Sequence, residues 1–159
     1  MNKIIEIYTD GSSLGNPGRG GYGVVITEND KVVDELGGYE KDTTNNRMEL
    51  QAVIEALNYI HKKFSPKKDL FSIIIHTDSA YVLGGVTTWI HNWEKNGWKT
   101  ANKKQVLNQE LWQKLIASIR LFDGDLKWQK VKGHSGHIHN ERADVLATTY
   151  AEFQQYPKS

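Results

Sequence analysis

The sequence predicts an α/β domain built on a five-stranded mixed sheet, with three antiparallel strands first, parallel strands after them, and helices on the faces. Three observations predict it. Short β-branched apolar runs occur at "KIIEIYT" and "FSIIIHTD", the pattern of strands buried on both faces. The long amphipathic segment "TTNNRMELQAVIEALNYIHKKF" precedes the second run and suits a parallel crossover. Two further β-rich runs, "GYGVVIT" and "KVVDELGGYE", lie before that segment with only Glu28–Asp30 between them, which suits a hairpin.

Each element follows in order. The first strand covers Lys3–Thr9 and is stopped by the glycine-rich run after it. In the long helix, Leu50, Ile54, Leu57, His61 and Phe64 share a stripe that Val53, Ala56 and Ile60 broaden. Thr44 or Asn45 caps its start and Pro66 ends it. After the strand ending at Asp78 comes a helix-rich region to about Leu121, in which "NQELWQKLIASIR" is the clearest amphipathic piece. "DLKWQKV" is a last short strand, and "HNERADVLATTYAEF" a closing helix.

The 159 residues fit one domain over 1–159, with a core over about 3–152 and a tail, 153–159, expected to be disordered. There is no cysteine, which excludes disulfides and thiolate metal sites. Glu6 and Asp10 interrupt the N-terminus too early for a signal h-region, no stretch approaches a membrane span, and cytoplasm is the expected location. The formal net charge is +1, so a polyanion must be attracted by a local patch. One exists: Lys95, Lys99, Lys103 and Lys104 fall in ten residues that hold no acid, just after Glu94.

Four acids stand out. Asp10 and Asp78 end two strands that, if parallel neighbours, put both carboxylates at the sheet edge where α/β folds bind ligands. Glu49, placed in the first turn of the long helix, is in line with Val53, Ala56 and Ile60 and so faces the sheet. Asp144 sits one turn from Ala147 in the closing helix. Singly, each has an ordinary reading: Asp10 and Asp78 as turn residues, Glu49 as a favourable charge at a helix start, Asp144 as a partner of Arg142. Together they would repel one another unless hard divalent cations met them. Two Mg²⁺ ions roughly 3.5–4 Å apart would form a clamp for in-line displacement at phosphorus. The six glycines from Gly11 to Gly23 would let main chain approach a bulky ligand, or simply form a tight hairpin entry.

At these residues the sequence resembles the bacterial type 1 ribonucleases H. The motifs are "YTDGSSLGNPGRGGYG", "TTNNRMEL", "HTDSAYV", "WIHNWEKNGWKT", "LW" at Leu111–Trp112, "WQKVKGH" and "GHSGHIHNERAD", in family order from Ile4 to about Ala151. The resemblance implies the ribonuclease H-like fold and an endonuclease that cuts the RNA strand of RNA–DNA hybrids, leaving 5′-phosphate and 3′-hydroxyl ends. It implies two Mg²⁺ ions with substrate, Mn²⁺ being a possible substitute. Asp10 would bridge the ions, Asp144 would join it on the ion holding the nucleophilic water, and Glu49 and Asp78 would hold the other. His134 falls on a mobile-loop histidine that helps proton transfer or product release; without the motif it reads as a solvated loop residue. His134, His137 and His139 lack the spacing of a zinc site.

The resemblance also assigns substrate contacts. Asn16, Asn45 and Asn46 would read RNA 2′-hydroxyls. Thr44 and Asn108 would hold a DNA phosphate, with Trp89 and Trp112 as apolar contacts beside it; core packing is the equal alternative for each tryptophan. Trp98 and the four lysines belong to a basic handle, about 87–104, that would neutralise phosphates. Ala80 stands where relatives often carry a glutamine that touches the minor groove. Glu94, Asn96 and Asn102 leave the handle less basic, and Ser13 replaces an occasional cysteine. The expected partner is the hybrid duplex; a monomer with no obligate protein partner and no membrane association is the default. Two rival readings are a hybrid-binding module that does not cut, and another polynucleotidyl transferase on the same scaffold.

Overall fold

The computed structural model describes residues 3–64, 71–122, 126–131 and 137–158. The expected sheet is present, with five strands in the order β3-β2-β1-β4-β5. These are β1 (Lys3–Ser13), β2 (Gly18–Glu28), β3 (Lys31–Thr43), β4 (Phe71–Thr77) and β5 (Leu126–Lys130). β1 pairs antiparallel with β2, which pairs antiparallel with β3. β4 lies parallel to β1, and β5 parallel to β4. Asn29 and Asp30 both take positive φ, 49° and 69°, the two-residue turn whose twist matches a tight hairpin.

The helices are α1 (Asn45–Phe64), α2 (Ala80–Gly84), α3 (Ile90–Lys95), α4 (Gln109–Ile119) and α5 (Ile138–Phe153), with a π-helical turn, Gly85–Trp89, joining α2 to α3. Thr44 caps α1, its hydroxyl accepting from the Arg47 N–H at 3.2 Å. α1 buries Leu50, Val53, Ile54, Leu57 and Ile60 against Ile5, Ile7, Ile73 and Ile75 of the sheet. α5 covers the opposite face, where a small cluster of Tyr8, Val25, Ala143 and Leu146 forms a second core. Alternation along β1 explains the division: Ile5 and Ile7 point to α1, Tyr8 to α5. Among the described residues, no helix is long and apolar enough to cross a membrane.

One expectation needs correction. The glycine-rich run does not stop β1, which continues through Asp10 to Ser13 in antiparallel register with β2. Only the parallel pairing with β4 ends early, at Tyr8↔His76. The glycines serve helix packing as well. A Cβ on Gly11 would lie 2.4 Å from the Glu49 nitrogen, and one on Gly23 would lie 2.4 Å from the Ala143 carbonyl oxygen. Hydrogen at these positions is what lets the start of α1 and the backbone of α5 approach the sheet. The tail is described to Lys158, and Tyr156 packs back on α5: its hydroxyl accepts from Arg142 Nη2 at 3.0 Å and also contacts Glu35.

Candidate active site

Asp10 and Asp78 each lie two residues beyond the last parallel pair, Tyr8↔His76. Neighbouring strands therefore deliver both carboxylates to the same edge, one inside β1 and one just past β4. Glu49 comes from the second turn of α1, not the first, since α1 begins at Asn45 and carries no acid in its first turn. It is buried, at 9% exposure. Carboxylate oxygens of Asp10, Glu49 and Asp78 all lie within 4.8 Å of one another.

The electrostatics match that crowding. Burial, contact with Asp144 and the charge of Asp78 push the Asp10 carboxyl up to about 7. Burial, then the charges of Asp10 and Asp78, hold Glu49 well above the usual carboxylate range. The Gly11 N–H donates to Asp10 Oδ1 at 3.0 Å. Glu49 Oε1 is buried with no hydrogen-bond partner, an arrangement that costs free energy unless something positive fills it. An all-carboxylate set with a buried orphan oxygen fits a hard divalent cation.

Asp144 reaches Asp10 from α5 but stands outside the three-way grouping, and it is exposed rather than core-facing. The buried stripe of α5 runs through Ala143, Leu146, Ala147 and Ala151, and Asp144 lies on its flank. His134 falls outside the described residues. His137 stacks on Tyr8 and His139 lies tilted against it, with ring centroids 5.1 Å away in both cases, and so they seat the start of α5 on β1.

Beside the acids, Asn16, Thr44, Asn45, Asn46, Leu107 and Asn108 line a groove of about 350 Å³. Five of these six were named from sequence. The Ser13 N–H donates to Asn45 Oδ1 at 2.7 Å, and the Asn45 N–H to Asn16 Oδ1 at 3.4 Å. Asn108 takes a left-handed conformation, φ 60°, at the start of α4 without capping it. Its amide is held instead: Arg47 Nη1 donates to Oδ1 at 3.0 Å, and Nδ2 donates to Tyr81 Oη at 3.1 Å. Sequence reasoning missed Arg47 and Tyr81. The available signal was a lone cation in "NNRMEL", just before the apolar stripe.

Trp112 is fully buried, in keeping with the core-packing alternative of its sequence reading. A Cβ on Gly85 would fall 2.0 Å from its ring, and its Nε1 donates to Tyr81 Oη at 3.0 Å. Through Tyr81 it is linked to Asn108 in the groove. Trp89 is 39% exposed and leans on Trp93, ring centroids 5.9 Å apart. Trp98 is half-buried against the same Trp93 at 6.0 Å, so an aromatic chain ties the handle to the core. Lys95, Lys99, Lys103 and Lys104 are exposed, and among the described residues none pairs with a carboxylate. Both Glu94 oxygens accept from Arg120 Nη2, at 2.9 and 2.7 Å, so this acid is neutralised locally. Ala80 is exposed at the first position of α2, after the Ser79 cap.

A family model described as RNase H matches residues 2–152. The chain is 54% identical to the ribonuclease H of Thermosynechococcus vestitus over 147 residues, 92% of this chain and 88% of that protein. It is 50% identical to the ribonuclease H of Escherichia coli O139:H28 over 151 residues, 95% of this chain and 91% of the other. Among solved structures, LC9-RNase H1, described as a type 1 RNase H with the type 2 active-site motif, superposes with a TM-score of 0.81 at 35% identity, over 98% of this chain and 75% of that one. LC11-RNase H1 in complex with an RNA/DNA hybrid superposes with a TM-score of 0.70 at 26% identity, over 93% and 96%. With a family model matched over nearly its whole length and relatives at about half identity, the chain belongs to the ribonuclease H family.

Proposed function

We propose that the chain hydrolyses the RNA strand of RNA–DNA hybrids by a two-metal-ion mechanism, with Mg²⁺ as the resident ion and Mn²⁺ as a substitute. The observation that carries this reading is the grouping of Asp10, Glu49 and Asp78 with its orphaned Glu49 oxygen, beside a groove lined by amides. Those three acids would hold the cations, with Asp144 joining from α5. Bound there, the ions would supply Lewis acidity that lowers the pKa of a water and offsets charge on the leaving oxygen.

The chain's own residues do the rest. Asn16, Asn45 and Asn46 offer amide donors and acceptors to the 2′-hydroxyls of the RNA strand. Thr44 and Asn108 hold a phosphate of the other strand; Arg47 fixes which end of the Asn108 amide faces the groove. Trp89 presents its open face to the backbone, and Trp98 supports the handle. Lys95, Lys99, Lys103 and Lys104 neutralise phosphates away from the chemistry. His134 moves a proton or assists release, as its place in the "KGHSGH" motif implies.

The enzyme works as a cytoplasmic monomer within the same proposal, with no obligate protein partner, and light scattering on the purified chain tests the oligomeric part. The test of the activity is direct. Strand-labelled RNA–DNA, RNA–RNA and DNA–DNA duplexes are incubated with and without Mg²⁺. Scission of RNA only in the hybrid, and only with metal, is expected; tight hybrid binding without scission would make the chain a binding module instead.

A further inference from the structure

We infer that Arg142, clamped between Glu35 and Tyr156, is a positioning residue that sets the roll of α5 and thereby the place of the Asp144 carboxylate. The inference rests on the proposed function for its kinetic consequences, but its structural content stands apart from it.

The geometry is a three-residue latch joining distant parts of the chain. Arg142 Nε donates to Glu35 Oε2 at 2.8 Å and Nη2 donates to Glu35 Oε1 at 3.0 Å, the two-pronged pairing that fixes a guanidinium in one plane. Nη2 also donates to Tyr156 Oη at 3.0 Å, and the guanidinium carbon lies 5.5 Å from the centre of the Tyr156 ring. The Tyr156 hydroxyl contacts Glu35 in turn. Both ionic side chains are partly shielded, at 35% and 16% exposure. β3, the start of α5 and the C-terminal tail thus meet at one guanidinium.

The need for such a latch follows from how α5 packs. Its buried stripe is Ala143, Leu146, Ala147 and Ala151, laid on a sheet surface that includes Gly23. Alanine on glycine gives close approach, with Leu146 against Gly23 and the Tyr150 ring against Gly37 as the larger contacts, and the clamp on Glu35 adds a directional restraint on the flank that faces β3. Arg142 and Asp144 are two residues apart, about 200° around the helix, and so lie on opposite flanks of that stripe. Rotation that frees one flank moves the other. With side chains reaching about 6 Å from the axis, a roll of about 10° shifts the Asp144 carboxylate by about 1 Å, a displacement that can cost on the order of a hundredfold in rate at a reacting centre.

The test combines kinetics with structure. Glu35→Ala, Arg142→Ala and the double variant are assayed on a labelled hybrid, well below their melting temperatures. Expected are a fall in kcat of about tenfold for each single variant, a hybrid KM within about twofold of the parent, and a double variant no worse than either single one, because the two act as a unit. The charge-reversed pair Glu35→Arg with Arg142→Glu recovers most of the missing kcat. Arg142→Lys and Tyr156→Phe, which keep the fold if the alanine variants do not, lose about threefold each. A crystal structure of Arg142→Ala without metal shows the Asp144 carboxylate moved by about 1 Å while Asp10 stays in place, and one of Arg142→Lys shows a smaller shift in the same direction. Unchanged kcat in folded variants, additive losses, or an unmoved Asp144 overturns the inference. If the parent itself fails to cut the hybrid, the proposed function falls, and the crystallographic comparison still decides the latch.

Discussion

Replacing Asp10 by asparagine tests the crowding of acids without recourse to activity. Asp10 carries a carboxyl pushed from 3.8 to about 7, a rise of about three units, each about 1.4 kcal/mol. The sign follows from linkage. A raised carboxyl pKa means that the folded state holds the proton more tightly than the unfolded chain, so the stability it confers is present below about pH 4 and is lost as pH rises toward about 7. Without metal, the charged Asp10 therefore costs up to about 4 kcal/mol at about pH 8. Asparagine removes that cost and keeps an acceptor for the Gly11 N–H, which bonds Asp10 Oδ1 at 3.0 Å. For a chain of this size, about 2–4 °C per kcal/mol applies, so Asp10→Asn melts about 10 °C higher at about pH 8 in metal-free buffer. The gap closes near pH 4 and narrows when Mg²⁺ is added, because only the parent gains fully from the ion. Thermal unfolding followed by circular dichroism at three pH values measures this. A difference that is independent of pH, or a variant less stable than the parent at about pH 8, refutes the repulsion argument.

Other predictions follow from the same geometry. Asp10→Asn abolishes cleavage with hybrid affinity nearly intact, as seen by gel assay and fluorescence anisotropy. Alanine at Lys95, Lys99, Lys103 and Lys104 together raises KM and flattens its dependence on salt, by up to about 0.9 in log–log slope for each phosphate that is no longer neutralised; an unchanged slope would remove the handle from substrate binding. Arg47→Ala releases the Asn108 amide and raises KM about fivefold with little change in kcat, consistent with loss of one charge-assisted hydrogen bond. Gly23→Ala drives a methyl group into the Ala143 carbonyl and Leu146 and lowers stability by about 2–3 kcal/mol, read as a shifted denaturation midpoint.

The sequence by itself determined the element order, the three acids that group together and five of the six residues that line the groove, because these are written in local patterns. Apolar periodicity separates strands from helices, and Asp10 and Asp78 end their apolar runs in a way that any parallel pairing turns into neighbours. Glu49 was legible because an acid in phase with Val53, Ala56 and Ile60 has no ordinary reason to be buried. Tertiary structure alone decided what depends on approach between distant segments. The glycines after Asp10 looked like room for a ligand or a tight hairpin entry; at Gly11 the space is taken by α1 and at Gly21 and Gly23 by α5, since only the packed fold shows which backbone comes within reach of each missing Cβ. Trp112 and Trp89 are alike in sequence, yet one is fully buried and the other is 39% exposed, because burial belongs to the neighbours rather than to the residue. Arg142 and Glu35 are more than a hundred positions apart, and no periodicity along a chain records a pair that exists only after the sheet has brought its edge to the flank of the last helix.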